Sequence, residues 1–305
     1  MSLKLNNPKL IIRKLKVSDF KEFERLFYSC FKKKISYNFF KWRYFTDKTS
    51  FCCGIFEKKK LIANVGMKSM KLNNKKNERV FSRHSSMVLV NYRGKGIFSR
   101  LLAEVKKVYL NNTKIIIMWP NKNNFASFGI NKKKIIRTKF YLYSTSSSKI
   151  KIKKTSDHDI NQINKYKIFI QNSDNFFLKD FEYFKSRYLL YKNSEYLINK
   201  FEYKKFTSFF ILKKNKDKSK SNSNFVILDH FGSKFIKSKH LSQLINEREI
   251  IFLTKKKIDK LSHNFINHIN LCVGFIKKTA FQKKTTFLLN KEFTLGDTDS
   301  FITIK

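Results

Sequence analysis

Residues 86–102 read Ser-Met-Val-Leu-Val-Asn-Tyr-Arg-Gly-Lys-Gly-Ile-Phe-Ser-Arg-Leu-Leu. Ser86–Val90 is apolar and β-prone, so it predicts a strand. Asn91–Gly96 is a loop holding two of only eight glycines in 305 residues. From Ile97 the apolar residues Ile97, Leu101, Leu102, Val105 and Val108 recur at helical spacing, which predicts a helix over Ile97–Leu110 with one buried face. Strand, basic glycine loop and helix start form a physical unit. Glycines let the chain turn sharply, the first N–H groups of the helix have no internal partner, and the dipole there is positive. Arg93, Gly94, Lys95 and Gly96 therefore suit an anion such as a pyrophosphate. The alternative is a basic β–α turn in which the glycines serve geometry alone. GxxxxGK[ST] and GxGxxG spacings are both missing, so this is neither a P-loop nor a dinucleotide fingerprint.

Upstream, Lys9–Lys16 reads as an opening strand and Val17–Asp19 as a helix start capped by Ser18 or Asp19. Phe20, Phe23, Leu26, Phe27 and Cys30 then fall on one helical face. An aromatic segment, Tyr37–Tyr44, precedes strands at Ser50–Phe56, Lys60–Met70 and Val80–Val90. Downstream come a strand at Ile115–Trp119 broken by Pro120, a short polar helix at Asn123–Asn131, and a strand at Lys139–Ser144. The run Ser144–Ser148 reads as a linker, dividing the chain into residues 1–145 and 149–305. The second half repeats the order: an opening strand at Lys149–Lys153, a helix near Ser156 or Asp157, the segment Phe176–Tyr191, and strands at Tyr196–Tyr203, Thr207–Lys213, Phe225–Asp229 and Glu249–Thr254. Phe40-Lys41-Trp42-Arg43-Tyr44 also matches Phe184-Lys185-Ser186-Arg187-Tyr188 at an offset of 144 residues, one domain length, which predicts a duplication. The second half lacks a glycine loop after Asp229, so a single cofactor site is expected.

The stretch Val88–Leu102 resembles the acetyl-CoA-binding motif of GNAT N-acetyltransferases, a strand followed by Arg/Gln-x-x-Gly-x-Gly/Ala at a helix start. Arg93 takes the first position and Gly96 the central glycine, while Phe98 stands where Gly or Ala is usual. Trp119–Phe125 resembles the Pro-Asn-x-Asn-Ser segment of one branch, and Phe293–Phe301 resembles the closing signature of its two-half members. The resemblance implies an α/β, GNAT-like fold: a splayed mixed β-sheet flanked by helices, followed by a second, degenerate GNAT-like α/β half that helps build the acceptor pocket. It implies acetyl-CoA as co-substrate, aligned by the backbone of Val88 and Leu89 and held by the loop amides from Arg93 through Gly94, Lys95, Gly96 and Ile97 to Phe98. Asn121 and Asn124 would flank the pantetheine arm, or cap the short helix. Valine at Gly96 would stand where the backbone must approach the cofactor.

The family uses a Glu or an ordered water as base and often a Tyr as acid. His84, just before the fourth strand, suits a base by its titration range, or is a partly buried, hydrogen-bonded histidine. Tyr141 or Tyr143 could supply the acid, or belong to the core. Asp297 and Asp299 could bind a cationic or hydroxyl-rich acceptor, or close a turn. The implied reaction moves an acetyl group to the amine of a small acceptor, such as an amino sugar or sugar nucleotide.

The net charge of +44 points superficially to nucleic acid. The excess is nevertheless spread along the whole chain and is nearly all Lys, with abundant Asn, Ile and Phe, the residues of A/T-only codons. Coding bias accounts for it, and no RNA-binding aromatic signature is present. A basic nucleic-acid- or ribosome-associated protein on an inactive acyltransferase scaffold is the competing reading. An acyl-CoA-binding protein without catalysis is a third. Four cysteines without CxxC spacing argue against zinc and against a disulfide framework. With no membrane-length apolar run and no secretory h-region, a cytoplasmic location is expected.

Overall fold

Apolar residues alternating along the strands with helices packed on both faces build one continuous sheet. The computed structural model describes residues 10–47, 49–73, 78–110, 115–119, 135–146, 177–190, 196–203, 206–215, 224–232, 249–254 and 264–275. The first half runs β1 (Leu10–Lys14), α1 (Phe20–Phe31), α2 (Tyr37–Phe45), β2 (Phe51–Glu57), β3 (Lys60–Lys71), β4 (Arg79–Val88), α3 (Ile97–Tyr109), β5 (Ile115–Met118) and β6 (Ile135–Ser146). The second half runs α4 (Phe181–Phe184, widening into a π-type turn over Lys185–Leu189), β7 (Tyr196–Tyr203), β8 (Phe206–Asn215), β9 (Asn224–Gly232), β10 (Glu249–Thr254) and β11 (Asn264–Phe275).

Successive side chains of a strand face opposite sides of the sheet, so β2 and β3 feed two cores. On one face Phe23 and Leu26 of α1 and Phe40 and Tyr44 of α2 pack on Cys52, Leu61 and Met87. On the other, Leu101, Leu102 and Val105 of α3 pack on Ile62, Val65, Met67, Ile116 and Met118. The aromatic segment after α1 is thus itself a helix, begun by Ser36, whose Oγ accepts from Phe39 N at 3.2 Å. Asp19 does not cap α1 with its side chain. Its carboxylate takes both Arg13 guanidinium nitrogens and Lys16 N instead, fixing the entry to the helix.

The sheet of described strands has the order β1-β2-β3-β4-β5-β11-β6-β10-β9-β8-β7. From β2 to β7 this order reads the same from either end once each half's strands are matched. β5 pairs antiparallel with β11, β10 pairs antiparallel with β6, and β6 pairs with β11 at the centre. Each half therefore lends its last described strand to the other. The 144-residue offset holds in three dimensions as well. α2 maps onto 181–189, and β3 and β4 map onto β8 and β9. Phe81 and Ser82 lie parallel to Ile116 and Ile117, while Phe225 and Val226, 144 residues on, lie parallel to Ile250 and Ile251.

Three sequence expectations change. Ser144–Ser146 continues β6, paired with β10 up to Ser146↔Glu249, because a partner strand satisfies its backbone. The stretch after Asp229 is still strand, to Gly232. β11 had no sequence signal: Asn and His interrupt its apolar residues, and a register shift between Phe265 and Asn267 breaks the period of two. The expected elements at Asn123–Asn131, Lys149–Lys153 and Ser156–Asp157, and the segment Phe293–Phe301, lie outside the described residues.

Candidate active site

β4 is the strand on which the site is built. Its parallel pairing with β5 covers Phe81–Arg83 and stops where β5 ends, at Met118. β4 continues for five more residues, His84–Val88, still paired with β3. Beyond Arg83 its other edge is open among the described strands, and this is the splay. The register also shifts there, with Ser85 and Ser86 opposite the single residue Val65. Ser85 has φ +44°, a left-handed conformation that costs a non-glycine residue free energy. It is held by Asn64 Nδ2, which donates to Ser85 O at 3.0 Å, and by a hydrogen bond between the hydroxyls of Tyr44 and Ser85.

At the end of β4 the chain turns into the loop. Leu89 N donates to Ile62 O at 2.9 Å, on the β3 side. Alternation then aims the N–H and C=O of Val88 toward the open edge, where Arg93 Nε donates to Val88 O at 3.1 Å. Gly94 and Gly96 have φ +75° and +71°, and Gly96 is the residue from which α3 starts. A Cβ on either would meet nothing within 4 Å. What visibly demands glycine is thus the left-handed backbone and not crowding within the protein. A glycine N-cap supplies no side chain, so the first amides of α3, at Ile97, Phe98 and Ser99, face outward beside the exposed Arg93 and Lys95. Phe98 packs at the same corner, with the buried Arg83 guanidinium 5.5 Å from its ring centroid.

His84 is buried on the α2 face of the sheet, at the first position of the splay. Its Nδ1 lies 3.2 Å from Arg43 Nη2. A guanidinium only donates, so Nδ1 accepts, the ring is neutral and its proton sits on Nε2. Burial first, then the charges of Arg43, Lys68 and Arg187, hold its pKa well below the usual 6.5. The lone pair a base would use is committed to Arg43. Tyr141 lies on β6, its backbone opposite His268 of β11. Counting residues past Cys272↔Met118 and Arg83↔Met118 puts this position level with Met87, across the gap and behind β11. Asn121 and Asn124 lie outside the described residues.

Residues 11–130 match the model of the acetyltransferase (GNAT) domain. The first half of this chain has a GNAT-like fold. No curated protein matches the full sequence significantly. Among solved structures, the chain is similar to a GCN5-related N-acetyltransferase from Anabaena variabilis, 8% identical over 87% of this chain and 72% of that one, with TM-score 0.62. It is also similar to a GCN5-related N-acetyltransferase from Kribbella flavida, 8% identical over 87% and 71%, TM-score 0.58. The N-myristoyltransferase of Saccharomyces cerevisiae, solved with bound myristoyl-CoA, is 12% identical over 89% and 81%, TM-score 0.55. At these identities the likeness is one of fold, and it spans both halves. Among the described residues no helix of this chain is long and apolar enough to cross a membrane.

Sequence reasoning missed the polar groups around the GNAT splay: Arg43, Tyr44, Asn64, Lys68, Ser82 and Arg187. The one signal for them was the repeated Phe-Lys-x-Arg-Tyr, which marked Arg43 and Arg187 as equivalent without showing that they meet.

Proposed function

We propose that this protein transfers an acetyl group from acetyl-CoA to the amine of a small acceptor by direct attack. The observation that carries the reading is the pair of left-handed glycines opening α3 at the end of the unpaired edge of β4. The amides from Gly94 to Phe98, with Arg93 and Lys95, would take the pyrophosphate. The pantetheine arm would lie along His84–Val88, with the Val88 N–H within reach of the thioester carbonyl, Leu89 shaping the bend, and Asn121 and Asn124 flanking the arm. The amine nitrogen attacks the thioester carbon, the C–S bond breaks and the amine loses a proton to a base. Tyr141 is the candidate donor of a proton to the leaving thiolate. His84, whose lone pair goes to Arg43, acts by positioning that guanidinium, so the amine proton is assigned to ordered water. Positioning of two substrates supplies most of the acceleration in such a scheme. The free thiols of Cys30, Cys52 and Cys53 fit a cytoplasmic location.

The test is thermal stability with and without acetyl-CoA, at moderate and high salt, with a polyanion as control. A ligand at about a hundred times its Kd adds roughly 2.7 kcal/mol, a shift of a few degrees. Acetyl-CoA should raise Tm in a way the polyanion does not reproduce, and turnover should then follow against a panel of amines. A shift that any polyanion gives equally well would favour the nucleic-acid-binding reading.

A further inference from the structure

β4 passes into the glycine loop through one short turn, Val90–Tyr92, in which Tyr92 N donates to Leu89 O at 2.9 Å and Arg93 N to Val90 O at 3.1 Å. Leu89 N ties this turn to β3 through Ile62 O, and Arg93 Nε ties it to the end of β4 through Val88 O. A further contact reaches one strand beyond: Tyr92 Oη donates to Glu57 Oε2 at 2.6 Å. Glu57 is the last residue of β2, and β3 lies between β2 and β4. The bond therefore crosses the end of β3 and fastens the loop to the hairpin at Glu57–Lys60.

Tyr92 is half-buried, with its ring packed on the core that α3 covers and its hydroxyl turned out to the carboxylate. The Lys95 ammonium stands 5.9 Å from the centroid of the same ring. A hydrogen bond to a charged acceptor is stronger than one between neutral groups. It also raises the pKa of Tyr92, so the hydroxyl remains a donor at neutral pH. Past Tyr92 the support ends abruptly. Arg93–Gly96 is exposed, and a Cβ on Gly94 or Gly96 would meet nothing within 4 Å. Glycine loses more conformational freedom than any other residue when it is fixed. Such a loop is either ordered by its ligand, which costs affinity, or held in shape beforehand. By charge alone a carboxylate at this corner opposes an anion on the loop, whereas as a hydrogen-bond acceptor it favours one.

We propose that Tyr92 is a positioning residue for the cofactor: pinned to Glu57, it sets the path of Arg93–Gly96 before a pyrophosphate arrives. This rests on the acyl-CoA reading of the loop.

The experiment is isothermal titration of the full chain with acetyl-CoA, CoA and dephospho-CoA, all of which carry the pyrophosphate. It compares wild type, Tyr92→Phe, Glu57→Leu and Glu57→Gln, with the ligand-free Tm of each. Tyr92→Phe keeps the ring and should weaken all three ligands by the same factor, roughly five-fold, as expected for one hydrogen bond. Its ligand-free Tm should move by less than about two degrees, because the bond lies in a half-exposed corner. Glu57→Leu should weaken binding as Tyr92→Phe does, although it removes a negative charge. Glu57→Gln keeps an acceptor oxygen and should restore most of the affinity. Tighter CoA binding by Glu57→Leu would show that the carboxylate acts by its charge, and would overturn the proposal. A loss in Tyr92→Phe with acetyl-CoA but not with CoA would place the residue at the thioester and overturn it too. So would an affinity loss that comes with a large fall in ligand-free Tm, the mark of a purely structural role. Should Tyr92→Phe not fold, Glu57→Leu against Glu57→Gln makes the same comparison. Unchanged affinity in the variants, with wild type binding CoA, would overturn the proposal and leave the acyl-CoA reading standing. Wild type binding none of the three ligands would sink that reading and the proposal with it.

Discussion

Trp42 Nε1 donates to the carbonyl oxygen of Ser186 at 2.7 Å, and the two residues are 144 positions apart, the distance at which the halves repeat. Equivalent positions of the two halves thus touch each other. Tyr44 meets Ser85 and Tyr188 meets Asp229, each across 41 residues, so the same internal contact recurs in both halves. These contacts, with the strand exchange at β6 and β11, tie the two halves together around the α2–α4 face.

Trp42→Phe keeps the ring but removes the N–H, leaving the Ser186 carbonyl without that donor. A loss of about 1–3 kcal/mol is expected, read from the urea midpoint. A change within a few tenths of a kcal/mol would mean that this contact does not hold the halves together.

Lys179 and Asp229 form an ion pair at 2.7 Å with both side chains fully buried. Lys179→Met strands a buried carboxylate and should cost about 3–5 kcal/mol, whereas Lys179→Met with Asp229→Asn should recover part of that loss. Urea unfolding of the two variants checks this, and equal losses would refute the account.

Gly96→Ala puts a Cβ on a left-handed residue in open space. It should lower stability by about 1–2 kcal/mol without a clash. Gly96→Val adds bulk on the outward face of the loop and should abolish the thermal shift given by acetyl-CoA. A folded Gly96→Val that still responds normally would show that the loop is not the cofactor cradle.

His84 is held neutral in the fold, its pKa depressed by burial and by the neighbouring cations. Below about pH 6.5 the unfolded chain takes up a proton that the folded protein does not. The stability His84 contributes is therefore full above that pH and is lost as pH falls. His84→Gln should flatten the dependence of urea stability between about pH 5 and 7. An unchanged slope would mean that the ring is protonated in the fold.

Burial pushes the Cys53 thiol up to about 12 and the Cys52 thiol well above its ordinary value. At mildly alkaline pH a thiol reagent should label the partly exposed Cys30 in the folded protein and leave the Cys52–Cys53 peptide unmodified, as read by mass spectrometry. Rapid labelling of that peptide would contradict the packing of β2.

The local parts are legible in the sequence: α1 and α3 from their apolar spacing, β2, β3, β7 and β10 from short apolar runs, and the loop at Arg93–Gly96 from two glycines in a chain that has few. Each depends on neighbours within a turn or two of chain, so each is written in a short window of residues. Other features come into view only in three dimensions: β11 enters between β5 and β6, Ser144–Ser146 is paired strand, and the charges of Arg43, Lys68 and Arg187 bear on His84. A polar, bulged strand such as Asn264–Phe275 acquires its pairing from the edges that β5 and β6 present, and residues 144 positions apart such as Trp42 and Ser186 meet only once the two halves pack together. Those contacts are fixed by which surfaces fit, a property of the folded whole that no local window of sequence carries.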